Sequence, residues 1–509
     1  MARGFGWWDY FTLDITLHYG RPVTWGNLLA NYLQGLFSGG YVVRPTWALL
    51  SDLQTLLFGG EFWQWYVLKW AGEAAAIALA AGILKRLGCG WASRAAVVAL
   101  LAFHHASFTL MLHDPDGWLA LGMLLQVRMV LEVEGDAAKF GRASYILFLA
   151  LMPATLGLKE TGFAFNGALA GFLLLWNPKA WRRLIPMAGL LVFWTWRLGS
   201  ALDRTAGFSL GEWMGRFGRQ VNLLVPRSPL HVLDGAAILL VAGWVILAWR
   251  WRGEFRGRLM VFSVVTSLGM LLFTTVPNLV ALRYGIPVVY LLSIPAGLAV
   301  EALGRRREWV AGAIVVLYPL FTAGSLYAQE LAYQKEFSEF VTSLNAMEAK
   351  AKLDHELAIT GYSGDISGEV RTTVTRFFKY YGYKWYGYGG PRDVRVIAER
   401  GLPQRRFALL SFLKPILLLQ ERTGRLRNRL ERVEAFAPGD MGSLGRLAES
   451  YKSLDRLLMR RGEQYWYDYG GAMPSTEPLL YVYTFREEGG VPGHWTTEYI
   501  PCGRLPGAF

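Results

Sequence analysis

Long apolar runs separated by short polar or basic connections fill the chain as far as about Tyr327, and mixed charge replaces that pattern beyond it. The runs are about 15 to 22 residues long, which is the length a helix needs to cross a hydrocarbon core of about 30 Å. About ten of them are predicted, over residues 62–86, 92–111, 116–132, 143–157, 161–176, 184–199, 233–251, 258–275, 283–303 and 308–327. The fold class expected is therefore mainly α, a polytopic membrane domain followed by a soluble portion.

Two further stretches carry helical apolar spacing broken by charge. Within 41–58, Leu49, Leu50, Leu53, Leu56 and Leu57 recur at helical intervals, while Arg44 and Asp52 interrupt any spanning run. That combination predicts an amphipathic helix lying at the interface, where it would roof a lipid-facing site. A second candidate lies within 200–232, where Phe208, Leu210, Trp213, Met214 and Phe217 alternate with Arg216 and Arg219.

After Tyr327 a helical pattern runs to about Lys352. Segments 357–360, 394–397 and 479–485 then read as strands, and 366–380, 405–436 and 442–460 as helices, which predicts an α/β or α+β domain. The apolar run 407–419 is too short to span. Three regions follow: an outer loop with an interfacial helix at 1–61, a membrane domain at 62–327 and a soluble extracytoplasmic domain at 328–509.

Composition narrows the class. The chain is 53% hydrophobic and 18% charged, with a net charge of +13. That excess does not point to nucleic acid, because much of it sits in alternate short loops: Lys85, Arg86 and Arg94; Arg128, Lys139 and Arg142; Lys179, Arg182 and Arg183; Arg250, Arg252, Arg256 and Arg258; and Arg305 to Arg307. Basic loops mark the cytoplasmic side. The intervening connections then face outward together, and with them residues 1–61 and the tail. Since an outer N-terminal segment ahead of the first span is awkward for insertion, a further helix upstream of residue 1, an eleventh span, is expected. With only Cys89 and Cys502 in the chain, a disulfide framework is not expected.

Ionisable side chains at the ends of spanning helices are costly and generally mark a site. The outward connections hold Lys159-Glu160 between two apolar runs, and His113-Asp114-Pro115-Asp116 at the start of another. Asp114 has an alternative role as a helix cap. Asp9 stands among aromatic residues, in surroundings that suit a general base. Arg283-Tyr284 opens a spanning run, and an arginine at that depth is suited either to clamp a phosphate or to snorkel to the interface; Arg44, at the head of the interfacial helix, is a further candidate. The aromatic and glycine-rich stretch 377–390 has rings suited to a glycan face, or to a packed seam.

Trp8-Asp9-Tyr10, Tyr41-Val-Val-Arg44-Pro45, Asp114-Pro-Asp116, Lys159-Glu160 and Arg283-Tyr284-Gly-Ile-Pro287 occur in an order that resembles the GT-C superfamily of polyprenol-phosphate-dependent glycosyltransferases, particularly its protein-mannosyltransferase and lipid A aminoarabinose transferase-like branches. The resemblance covers about residues 7–327. It implies inverting transfer of a sugar from a polyprenyl-phosphate donor to a protein, lipid or polysaccharide acceptor outside the cytoplasm, at an inner or plasma membrane. It makes Asp9 the general base, with Asp116 and Asp114 beside it to orient acceptor or sugar. Lys159, Arg283 and Arg44 would bind the donor phosphate, supported by Glu160, Tyr284 and His113. No cofactor and no metal are implied, since related enzymes of this branch work without a catalytic metal and the sequence indicates no divalent-ion site. Trp8 occupies a position where the family usually has a second carboxylate, which keeps a non-catalytic glycolipid-binding or scaffolding relative open as an alternative. A lipid-linked sugar transporter is the other.

Overall fold

In the computed structural model the described residues are 23–37, 44–58, 62–104, 115–202, 210–224, 243–275 and 285–319, together with seven strands of the later chain. The chain divides into two compact units, one holding Val23–Gln329 and Ser450–Gly471, the other Met1–Pro22, Glu330–Glu449 and Ala472–Phe509. The described helices all belong to the first and the described strands to the second.

The helical unit comprises α1 (Leu28–Phe37), α2 (Pro45–Phe58), α3 (Phe62–Arg86), α4 (Trp91–Ala102), α5 (Asp116–Glu132), α6 (Arg142–Leu158), α7 (Thr161–Trp176), α8 (Trp181–Leu202), α9 (Leu210–Leu224), α10 (243–250), α11 (Phe255–Thr275), α12 (Ile286–Ala302) and α13 (307–319). Each predicted apolar run therefore contains a described helix. Two of these, Trp63–Arg86 and Phe255–Thr274, are individually long and apolar enough to cross a membrane. A third candidate is the pair Ile286–Ala302 and Gly304–Pro319, which qualifies jointly and bends by 112° between its halves. The predicted run 92–111 is helical only as Trp91–Ala102 among the described residues.

Helix α5 packs against α3, α6 and α12, and its apolar residues meet theirs in one continuous core that includes Ile83, Leu84, Leu119, Met123, Val127, Phe148, Met152, Leu291 and Ile294. On the outside stand exposed apolar side chains such as Val192, Trp196, Val265 and Trp309. An apolar rim around an apolar core is what a hydrocarbon surround requires, so the polar groups inside must find partners within the protein.

Three of them, Gln126, Thr155 and Asn166, do so in a cluster that joins three helices. Gln126 of α5 donates to Asn166 Oδ1 of α7 at 2.9 Å, and Asn166 donates to Thr155 Oγ1 of α6 at 2.9 Å and to its own helix at Gly162 O, 2.8 Å away. Close approach is possible because glycines line the seam. A Cβ on Gly162 would overlap the Thr155 carbonyl oxygen, and one on Gly122 would come within 2.6 Å of Thr155 Cγ2.

A helix, α2, does lie where the interfacial helix is expected, but its burial is not led by the leucines. Ser51, Gln54 and Thr55 are its buried side chains along with Pro45, whereas Leu57 is exposed. Where the surround is apolar, the polar face is the one that gains by turning onto protein. α2 packs on α1 and α6, and its first turn sits on Gly157, with Thr46 Oγ1 donating to Pro153 O at 3.3 Å.

In the second unit, β1 (Glu356–Thr360), β2 (Lys384–Trp385), β3 (Phe407–Ser411), β5 (Asn428–Phe436) and β6 (Leu480–Glu487) form a sheet in the order β2-β1-β3-β6-β5, and β4 (Leu417–Leu418) pairs with β7 (Glu498–Tyr499). β1 runs parallel to β2 and β3, while β6 is antiparallel to β3 and β5. Two strand expectations hold, at β1 and β6. The helix expected over 405–436 is corrected, because it contains β3 and β5. β5 misleads a period count for a physical reason: Leu430 pairs with Phe485 and Arg432 with Thr484, so one residue bulges out, and the bulge spaces Leu430 and Val433 as a helix would. The strand expected at 394–397 and the helices expected at 366–380 and 442–460 lie outside the described residues.

Gly157→Ala tests the seat of α2. The added Cβ would overlap Thr46 Oγ1 and stand 3.0 Å from the Thr46 backbone nitrogen. A loss of about 1–3 kcal/mol of stability is expected, read as a lower melting temperature of the purified protein in detergent. A melting curve equal to wild type would show that α2 does not rest there.

Candidate active site

α6 and α7 are separated by two residues only. Lys159 is extended, at φ −160 and ψ 153, and Glu160 is already helical, at φ −59 and ψ −29. The turn is closed by Gly162 N–H donating to Lys159 O at 2.9 Å and Phe163 N–H donating to Glu160 O at 3.0 Å. One extended residue between two helices sends consecutive side chains in different directions, which is how an adjacent Lys-Glu pair comes to serve two separate contacts.

Lys159 Nζ donates to Asp116 Oδ2, and the two side chains are 3% and 0% exposed. Asp116 is the first residue of α5, with Pro115 in the capping position before it. A carboxylate there also meets the positive end of the helix dipole. Burying this pair costs several kcal/mol per ion, which direct contact and the dipole offset only while both partners are present.

Glu160 turns instead to Arg44, just ahead of α2. Arg44 Nε donates to Oε1 at 3.0 Å and to Oε2 at 3.2 Å, and Nη2 donates to Oε2 at 2.8 Å. This is the two-pronged geometry of a guanidinium on a carboxylate. Both side chains are about a quarter exposed, at 24% and 23%. Burial pushes the Glu160 carboxyl up, but the Arg44 charge and its hydrogen bonds outweigh that and hold the group below its ordinary 4.5. The pair's stabilisation is therefore full above pH 4.5 and is lost as pH falls through the lower folded value.

Four of the residues singled out in the sequence are thus linked in two pairs through one turn, drawn from α5, the α6–α7 turn and the head of α2: Arg44, Asp116, Lys159 and Glu160. Asp9, His113, Asp114, Arg283 and Tyr284 lie outside the described residues. Among the described residues, no group of three His, Cys, Asp or Glu side chains gathers to hold a metal ion. Chemically, the assembly offers two cations and two carboxylates within one network of helix ends, suited to an anionic ligand and to positioning of a polar group beside it.

Sequence reasoning missed the supports. The Gln126–Thr155–Asn166 cluster lies one helical turn from Lys159 and fixes the α6–α7 junction. Its signal was available, since three amide and hydroxyl side chains inside apolar runs need partners. Glu301 was missed as well. It accepts from Gly90 N–H at 2.7 Å and Ser93 Oγ at 2.8 Å and pairs with Arg307, tying the start of α4 to the bend after α12. Beside that cluster, burial and the neighbouring Glu301 push the Cys89 thiol up to about 12, so it is an inert thiol.

No family model matches the chain, and no curated protein matches it. The chain is similar to crystal structures of ArnT. The ArnT from Cupriavidus metallidurans bound to undecaprenyl phosphate aligns at 15% identity over 81% of this chain and 94% of that one, with a TM-score of 0.44. The apo form of the same protein aligns at 16% identity over 80% and 90%, with a TM-score of 0.42. At these values the likeness carries no inference about chemistry, which rests on the residues themselves.

Removing one partner of the buried pair should be worse than removing both. Lys159→Met or Asp116→Leu alone is expected to cost about 3–5 kcal/mol, and the double variant clearly less. Melting temperatures of the four proteins in one detergent check this; additive losses would contradict it.

Proposed function

We propose that the protein is an integral membrane glycosyltransferase that moves a sugar from a polyprenyl-phosphate donor to an acceptor outside the cytoplasm, with inversion. The observation that carries the reading is that the adjacent residues Lys159 and Glu160 hold two ion pairs, Lys159–Asp116 and Arg44–Glu160, at helix ends in an apolar surround. A lipid-phosphate donor needs such a site. Its tails occupy the hydrocarbon, its phosphate sits at the level of the helix ends, and the leaving phosphate gains negative charge as the sugar departs.

In this account Arg44 and Arg283 receive the phosphate, and Lys159, held on Asp116, adds its positive charge, so that the three stabilise that developing charge. Preorganised cations at a desolvated position usually supply the greater part of the rate enhancement in such a transfer. Asp9 takes the proton from the acceptor hydroxyl as its oxygen attacks the anomeric carbon. The carbon–oxygen bond to phosphate breaks and the polyprenyl phosphate leaves. Asp114 orients the sugar or acceptor and Asp116 holds Lys159 in place; Glu160, Tyr284 and His113 support the cations. The basic loops, read as cytoplasmic, put the connections that carry Asp116, Lys159 and Glu160 on the outer side. The acceptor is a protein, lipid or polysaccharide, and no metal is assigned to the step.

Transfer by the purified full chain from a panel of radiolabelled polyprenyl-phosphate sugars tests this. Asp9→Asn and Lys159→Ala are each expected to lower turnover by about 100-fold or more. Carrier binding without turnover in the wild type would favour the non-catalytic glycolipid-binding reading, and net movement of intact lipid-linked sugar across vesicles would favour a transporter.

A further inference from the structure

The two ion pairs differ in a way that bears on how a phosphate enters. The Lys159–Asp116 pair is shut away, at 3% and 0% exposure, so neither side chain can part from the other and find water. The Arg44–Glu160 pair stands about a quarter open, at 24% and 23%. If Glu160 leaves Arg44, it loses a charge partner but is not sealed away as Asp116 is. The bonding differs too. Lys159 meets Asp116 through Oδ2, whereas Glu160 spans the guanidinium through Nε and Nη2 at 2.8 to 3.2 Å. Those are the donors a phosphate monoanion takes when a guanidinium binds it two-pronged.

We infer that Glu160 is an internal competitor for the phosphate site: the carrier phosphate binds by displacing the Glu160 carboxylate from Arg44, while Lys159 stays bonded to Asp116 and contributes its positive charge. The inference rests on the phosphate-carrier reading and deepens it. Glu160 sets the affinity of the site and discriminates among ligands, because only a group that offers two anionic oxygens to the guanidinium can replace it. An uncharged prenol cannot. The exchange is local, since Glu160 lies at the first turn of α7 and Arg44 ahead of α2, and both backbones are anchored independently, by the Gly162 and Phe163 amide bonds and by Thr46 on Pro153. Glu160 thus also works against product retention, by re-engaging Arg44 as the polyprenyl phosphate leaves.

The test is binding of farnesyl monophosphate, inorganic phosphate and farnesol to the full chain in detergent, by calorimetry, for wild type, Glu160→Gln, Glu160→Asp, Arg44→Gln and the Arg44→Gln/Glu160→Gln double variant. If Glu160 occupies Arg44 for about nine-tenths of the time, freeing it raises affinity by about tenfold. Glu160→Gln should therefore bind farnesyl monophosphate about tenfold tighter than wild type, and Glu160→Asp, which keeps the charge but draws it back by one methylene, should tighten it by a smaller factor. The gain should vanish in the double variant and be absent for farnesol. A gain seen equally with inorganic phosphate would locate the recognition in the headgroup alone, and a gain confined to farnesyl monophosphate would show that the lipid is needed; either supports displacement. Wild-type binding with no tightening in Glu160→Gln and Glu160→Asp, both folded by melting temperature, would overturn the competition and leave the carrier reading standing. Failure of every protein to bind farnesyl monophosphate would instead remove the carrier reading and the competition with it.

Discussion

The ion pair between Lys159 and Asp116 is the constraint on which the helical unit depends. Two charges this deeply buried are tolerable only in contact, so the first residue of α5 and the two-residue turn between α6 and α7 are held at one distance from each other. The rest of that end follows. With Lys159 committed inward, the extended backbone at 159 sends Glu160 the other way, where it meets Arg44 and fixes the head of α2. Below the turn, Gln126, Thr155 and Asn166 satisfy one another across the same three helices, and glycines at 122 and 162 let them come close enough.

Much of this was legible in the chain. Apolar length placed α3, α5, α6, α7 and α11 to within a few residues, because a long apolar helix advertises itself by composition alone. The site residues Asp116, Lys159 and Glu160 were legible for the complementary reason, that charge beside a spanning run is expensive and needs an explanation. What the sequence did not disclose is who pairs with whom. Lys159 and Glu160 are neighbours, and adjacency suggests that they pair with each other, whereas each has a partner far along the chain. The orientation of α2 was hidden for a related reason. Its leucine spacing says that one face is apolar, but in an apolar surround that face need not be the buried one. In the later chain the bulge in β5 imitates helical spacing, which no count of periods can distinguish from a helix.

The chemistry proposed follows from the division of labour between the two pairs. The buried one is architecture that also presents a cation; the half-open one is an exchangeable contact at the edge. A carrier phosphate approaching along the bilayer meets the exchangeable contact, and the fixed ammonium stands behind it. That order of encounter is the core of the proposal, and it does not depend on which sugar the carrier brings or on what receives it.

It is tested most directly by mapping where a carrier phosphate sits. A polyprenyl monophosphate bearing a photoreactive group on the isoprene unit next to the phosphate is bound to the full chain, irradiated, and the labelled peptides are sequenced by mass spectrometry. Labels are expected in the first turns of α2 and α7 and around Asp116, suppressed by excess unlabelled farnesyl monophosphate and lost in Arg44→Gln. Labels confined to other helices, or insensitive to the competitor, would contradict it.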